Sequence, residues 1–299
     1  MLLVPRLNQS MLSILIVNWN TCEMLRACLA SLQTHLTALE HEIIVVDCAS
    51  SDGSAPMVAR EFSSLDLVAS TENLGFARGN NLALERARGE WIWLLNPDTE
   101  ILANAPEELL DFLWKRPRVG AVASALIDAR SGAIQRSCRT FPTPRALWVQ
   151  SLGLARLFRR SRRFGFYKMG WWNYRDARRV EQPMASSLML RRTAIEAAGG
   201  LFDEDFPIFF NDVDLCWRLQ KSGWEIWYQP LSRVKHWGGA ATGQVRAAMI
   251  RESHASLRRF YQKHYRGQIP AWIYFPTLWM SEAAGRVRFH LAKKAPGSG

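Results

Sequence analysis

The chain has 299 residues, 48% of them hydrophobic, enough for one large domain or two small ones with a real core. Its formal net charge of +11 is confined to one place: between Arg136 and Val180 stand twelve Lys/Arg and one acid (Asp176), while the other 254 residues balance at 26 basic and 26 acidic, which points to an anionic partner met at one surface. Five scattered cysteines without a C-x-x-C pair exclude a disulfide framework and a zinc site and fit a reducing cytoplasm, and neither a signal peptide at Met1 to Arg6 nor a membrane-spanning run is expected, since Ile269 to Met280 is too short and carries two prolines.

In chain order, Ser13 to Asn18 reads as a buried strand, and Thr21 is placed to cap a helix running to about His35, with Leu25, Leu29 and Leu32 on one stripe. Glu42 to Asp47 is a second buried strand and Leu65 to Ala69 a short third one. A helix opens at Asn73 to Phe76 and runs to about Arg88. Trp91 to Leu95, bounded by Gly89 and Pro97, is the most apolar strand, and Val119 to Ile127 is the fifth. Beyond the basic segment come a strand at Ser187 to Leu190, a helix from Asn211 to Lys221, a final strand at Trp224 to Tyr228 and a long polar helix from Thr242 to about Tyr265. Strands that alternate with helices, and are apolar without a break, indicate a mainly parallel, doubly wound α/β sheet with helices on both faces.

Several loops concentrate chemistry. Asp47 to Ser54 has two readings: a strand-to-helix loop with local bonds, or two carboxylates, Asp47 and Asp52, accepting from the donors of a nucleotide base and ribose. No G-x-G-x-x-G follows the first strand, which speaks against a dinucleotide fold. In Asn73 to Asn81, Gly75 suits a tight turn and Gly79 a packing contact; alternatively Arg78 and the backbone N–H groups approach a sugar nucleotide. Pro97 cannot continue a ladder, so Asp98 reaches the carboxyl end of its strand, where open α/β sheets bind ligands. Three converging carboxylates, Asp47, Asp52 and Asp98, would repel unless something cationic lay between them, and Mg²⁺ or Mn²⁺ on a diphosphate meets that need. Further on, Asn211 suits an N-cap, with Asp212 and Asp214 in the first turn. Those two acids stand about 200° apart on a helix, so only one can face a shared pocket. A carboxylate beside Phe209 and Phe210 suits a general base of raised pKa. His236, after the last strand, is a candidate metal ligand, and Trp237 a candidate stacking wall.

Together these motifs resemble glycosyltransferase family 2 of the GT-A fold, in its rhamnosyltransferase-like branch. The matching stretches are Ile16 to Asn20, Asp47 to Ser54, Asn73 to Asn81, Leu95 to Asp98, Gly199 to Asp203, Asn211 to Leu215 and His236. The resemblance implies an inverting transfer from a nucleoside-diphosphate sugar (thymidine-diphosphate rhamnose, or a uridine-diphosphate sugar) to a glycan or lipid-linked polysaccharide precursor. It implies donor binding by Asn18, Asp47, Asp52, Asn73, Gly75, Arg78, Asn81, Asn96 and Asp98, with Asp98 and His236 at Mg²⁺ or Mn²⁺. Asp212 is then the base, and Trp237 and Asp214 lie on the acceptor side. Two departures stand out: Asn211-Asp212 replaces the family's usual Glu-Asp, and Asn-Pro-Asp supplies one carboxylate where the motif usually has two. The first supports an alternative, a catalytically impaired sugar-nucleotide or polyanion-binding protein on the same fold.

The expected organisation is a GT-A domain over 1–240, with a nucleotide-binding half at 11–128, a basic aromatic insert at 136–180 and a catalytic half at 181–240, followed by a C-terminal helical extension at 241–299. In the insert, Leu147, Trp148, Leu152, Ala155 and Phe158 fall on one helical face, with Arg145, Arg156 and Arg159 away from it. Such a helix suits an anionic membrane surface, placing the protein in the cytoplasm, peripheral at the inner face of the cell membrane. A solvated insert packed by its own aromatics is the competing reading, and nucleic acid is not expected as a partner.

Overall fold

The computed structural model describes residues 11–37, 39–238 and 246–294, so the expectations at Met1 to Arg6 and at Thr242 lie outside them. The chain order is β1 (Leu12–Asn18), α1 (Cys22–His35), β2 (His41–Cys48), α2 (Ser54–Glu61), β3 (Asp66–Ser70), α3 (Gly75–Arg86), β4 (Trp91–Leu95), β5 (Thr99–Ile101), α4 (Ala105–Trp114) and β6 (Val119–Asp128). Then come β7 (Cys138–Arg139), α5 (Pro144–Ser151), α6 (Leu154–Leu157), β8 (Arg178–Arg179), β9 (Gln182–Pro183), β10 (Ser187–Arg191), α7 (Arg192–Ala197), α8 (Asn211–Lys221), β11 (Glu225–His236), α9 (Arg246–His264) and α10 (Ala271–Lys294).

The main sheet runs β3-β2-β1-β4-β10-β6-β11-β5. β3, β2, β1 and β4 are parallel, as are β6 and β11, while β10 runs antiparallel between β4 and β6. Both faces are covered, which is why these strands are apolar without alternation. Period two still sorts their side chains: Leu15, Val17, Ile92 and Leu94 enter one core, and Ile14, Ile16, Trp91 and Trp93 the other. Truncating one of them, such as Leu94→Ala, costs about 3 kcal/mol. α3 lies close on β1 because Gly79 has no side chain; a Cβ there would stand 2.8 Å from Val17 Cγ1.

Two expected elements differ from what forms. The last strand, expected to stop at Tyr228, continues as β11 to His236, past Pro230 by a bulge between Gln229 and Arg233. Its distal half pairs antiparallel with β5, three residues too short to show a period, with Thr99 opposite His236. The single amphipathic helix expected around Leu147 to Phe158 is broken at Gly153 (φ 74°) into α5 and α6. The C-terminal helices share the first core through Leu257, Phe260, Tyr261 and Tyr274. Tyr261 Oη donates to the Pro142 carbonyl at 2.6 Å, tying α9 to the insert.

Candidate active site

A cavity of about 560 Å³ opens at the carboxyl ends of β1, β2 and β4. It is lined by Asn18, Cys48, Asn73 and Gly75 from the β1, β2 and α3 ends, by Asn96, Asp98 and His236, and by Asp212. The insert adds Arg139 and Tyr167, and α9 adds Met249 and Ser253.

Asp98 is delivered by the turn after Leu95. Its carbonyl accepts from Trp237 N at 3.0 Å, and the β5–β11 pairing brings His236 beside it, Nε2 to Oδ1 at 3.5 Å. Gln135 sets the ring. Its Nε2 donates to Asp128 Oδ2 (3.2 Å) and to the His236 carbonyl (3.0 Å), which leaves Oε1 to face His236 Nδ1 at 2.8 Å. Nδ1 therefore carries the proton, and the Nε2 lone pair points at Asp98. Burial keeps the ring neutral by lowering its pKa, against the charges of Asp98 and Asp128. Two acceptors facing one another, with the far ring nitrogen held by a side-chain oxygen, is how a metal-ligating histidine is oriented. Asn96 Oδ1 is buried without a partner in the same wall. The donor set fits a divalent cation that takes its remaining oxygen ligands from elsewhere. Among the described residues no group of three or more His, Cys, Asp or Glu could hold a metal alone.

Asp212 lines the cavity half-buried, its Oδ1 accepting from Val213 N at 2.8 Å. Burial raises its pKa, countered by the Val213 amide, the Arg139 charge and the Ala185 amide. Asn211 is not the N-cap: Phe210 takes that place with φ 68°. Asn211 instead holds the preceding loop through the Ile208 carbonyl (2.9 Å) and the Phe206 carbonyl (3.4 Å). Burial pushes the Cys48 thiol up to about 11.

Other expected residues stand elsewhere. Asp47 is buried under the cavity floor, accepting from Asn18 Nδ2 (2.7 Å), Ser50 Oγ (2.7 Å) and Ser50 N (3.0 Å). Asp52 does not converge on Asp98; it accepts from Cys22 N at 2.8 Å and from Ser54 N and Oγ at 3.1 and 2.6 Å, at the starts of α1 and α2. Thr21 stands at the N-cap of α1 as expected, but its hydroxyl donates to Asn18 Oδ1 at 2.6 Å and makes no cap bond. The first amides of α3 are not free for a ligand: Gly75 N donates to Asn73 Oδ1, and Phe76 N and Ala77 N to the Pro207 carbonyl. Arg78 pairs with Glu72 on the surface, and Asn81 bonds the Phe202 backbone through both ends of its amide. Asp214 is corrected from the acceptor side: it is wholly inaccessible, paired with Arg218, Lys263 and His264. Trp237 is not among the side chains lining the cavity. Gln135, Met249 and Ser253 had no signal in the sequence, and Arg139 and Tyr167 only the basic and aromatic content of the insert.

A mainly parallel sheet whose strand ends open on one cavity is the GT-A fold. Residues 13–176 match glycosyl transferase family 2, and the chain belongs to that family; it is a glycosyltransferase. It is 26% identical over 274 residues to the N-acetylglucosaminyl-diphospho-decaprenol L-rhamnosyltransferase of Mycobacterium tuberculosis, covering 83% of this chain and 82% of that one. Among solved structures it is similar to a mannosyltransferase of Pyrobaculum calidifontis in complex with GDP-Man and Mn²⁺, with a TM-score of 0.59 and 18% identity over 97% of this chain and 76% of that one. It is also similar to GalNAc-T7 with UDP, GalNAc and Mn²⁺, with a TM-score of 0.56 and 14% identity over 76% of this chain and 44% of that one.

Proposed function

We propose that this chain transfers rhamnose, with inversion, from thymidine-diphosphate rhamnose to a hydroxyl of a lipid-linked glycan, working at the surface of a membrane. The observation that carries the reading is that Asp98, with His236 beside it, and Asp212 line one cavity. The rhamnosyltransferase relative supports the sugar and the lipid-linked acceptor; a uridine-diphosphate sugar is the second donor to test.

Asn18, Asn73 and Gly75 line the nucleotide end, where Asp47 braces Asn18 from below. Asp98 and His236 hold Mg²⁺ or Mn²⁺, which when bound neutralises charge on the diphosphate. Asp212, ionised, takes the proton of the acceptor hydroxyl, whose oxygen attacks the anomeric carbon as the bond to the diphosphate breaks. Arg139 brings positive charge to the same cavity, which keeps the Asp212 carboxylate ionised against burial and favours an anionic ligand. No helix of the described residues is long and apolar enough to cross a membrane.

The alternative, an impaired binding protein, rests on Asn211, and its amide donates to two loop carbonyls, which a glutamate could not do. The test is Asp212→Asn assayed for donor binding by calorimetry and for transfer by product analysis. Retained binding with transfer lost supports the base; equal loss of both counts against it. Binding of several donors by the unaltered chain, with nucleoside diphosphate released from none, would favour the impaired protein.

A further inference from the structure

α10 is amphipathic the wrong way round for a helix of a water-facing surface. Trp272, Phe275 and Trp279 lie within about 60° of arc and are 76%, 66% and 73% exposed. Pro276 is exposed beside them. The opposite face turns Thr277 and Ser281 inward, and both are buried with Tyr274. Thr277 is fully engaged there, donating to the Ile273 carbonyl at 2.7 Å and accepting from the Trp148 indole N–H at 2.7 Å. Polar groups have thus been drawn into the protein while three large aromatics are left in solvent. Singly exposed apolar side chains need no explanation, but a contiguous face of them marks an interaction site.

The insert, whose Trp148 bonds Thr277 on the inward face of α10, carries exposed apolar side chains of its own. From Trp148 the chain runs through Leu152, Leu157 and Phe158, exposed by 65%, 73% and 46%. Interleaved and following are Arg156, Arg159, Arg160, Arg162 and Arg163, all exposed. None of the five has a carboxylate within ion-pairing distance among the described residues. An apolar partner surface such as a second protein core would leave these five charges desolvated and unmatched. A surface that takes tryptophan at its boundary and meets arginine with negative charge is an anionic bilayer.

We infer that the exposed aromatic face of α10, together with the Leu152-to-Arg163 stretch of the insert, is the surface by which the protein docks on an anionic lipid bilayer. This rests on the peripheral-membrane reading above and locates it, moving the apolar contact from the insert alone to the C-terminal helix. α10 packs on α5 and α9, and α9 carries Met249 and Ser253 into the cavity wall. The docking face is thereby built on a helix that packs against one lining the cavity.

The test is flotation of the full chain with vesicles of phosphatidylcholine, with and without phosphatidylglycerol. The expected result is binding that strengthens at least tenfold with the anionic lipid. Trp272→Ser/Phe275→Ser/Trp279→Ser should weaken it at least tenfold, and Arg156→Ser/Arg159→Ser/Arg160→Ser should remove the preference for phosphatidylglycerol. The aromatics are solvent-exposed, so the variant should keep its thermal midpoint; if it does not, Trp279→Glu alone is read instead. Undiminished flotation of the aromatic variants overturns the assigned face while leaving peripheral binding standing. No flotation of the unaltered chain overturns both, and so does a dimer in light scattering that the aromatic variant dissolves without any vesicle binding. Flotation reads binding alone, so these outcomes are separate from the test of sugar transfer.

Discussion

His236 Nε2 stands 3.5 Å from Asp98 Oδ1 because β5 and β11 pair with Thr99 opposite His236. Neither side chain has a hydrogen to offer the other while the ring is neutral and its proton is held on Nδ1 by Gln135. The proposed role of the pair as cation ligands depends on Gln135, which sets the ring from behind.

Gln135→Leu should therefore weaken divalent-ion binding in the presence of the nucleotide about 10–100-fold, the usual loss when the partner of a ligating histidine is removed. His236→Ala should match or exceed that loss. Manganese titration by calorimetry or electron paramagnetic resonance checks both, and unchanged affinity in both would remove His236 from the ion.

For Asp212 the sign of the pH effect follows from burial. Its folded-state pKa is raised above the ordinary 3.8, so the protonated, inactive form persists to higher pH than in a free aspartate. Activity should fall as pH drops through that raised value, and Asp212→Asn should show no transfer at any pH. The same shift contributes stability only below the unfolded pKa, lost as pH rises through the folded one. At pH 7 Asp212→Asn should be inactive and no less stable than the unaltered chain in urea melts.

Asp214 behaves oppositely. Burial acts to raise its pKa, but bonds from His264, Lys263 and Arg218 hold it at about 2. Its contribution is present above the unfolded value near 3.8 and is lost as pH falls from there through about 2. Asp214→Asn should cost about 2–3 kcal/mol near neutral pH and only a small fraction of that at pH 2. Because Lys263 and His264 sit on α9, the loss should also loosen the Met249 and Ser253 wall, seen as faster amide exchange along that helix.

Gly79 gives a test of the cavity floor. Gly79→Val forces a branched side chain against Val17 and Cys48, where even a Cβ would stand 2.8 and 3.5 Å away. Overpacking of that kind costs about 1–3 kcal/mol or more. Since Val17 and Cys48 line the cavity, nucleotide affinity should fall with stability, checked by calorimetry and thermal melting together.

The sequence alone was sufficient for β1, β2, β4 and β6, because a strand covered on both faces must be an unbroken apolar run and its ends must carry turn formers. It was sufficient for Asp98 at a strand end, since Pro97 forbids the ladder to continue, and for the choice that only one of Asp212 and Asp214 faces the cavity, since helical geometry separates them. Which one, and what the other does, was decided by α9, whose Lys263 and His264 meet Asp214 from far along the chain. Tertiary structure likewise settled that Asp52 caps helices and that Asn81 holds the Phe202 backbone. It carried β11 past Pro230 to bring His236 to Asp98, and it turned α10 with its aromatics outward. Periodicity and turn chemistry are local and can be read from neighbouring residues. Strand pairing, ion pairing and the facing of a helix depend on segments distant in sequence, and no local pattern encodes which distant partner a side chain will find.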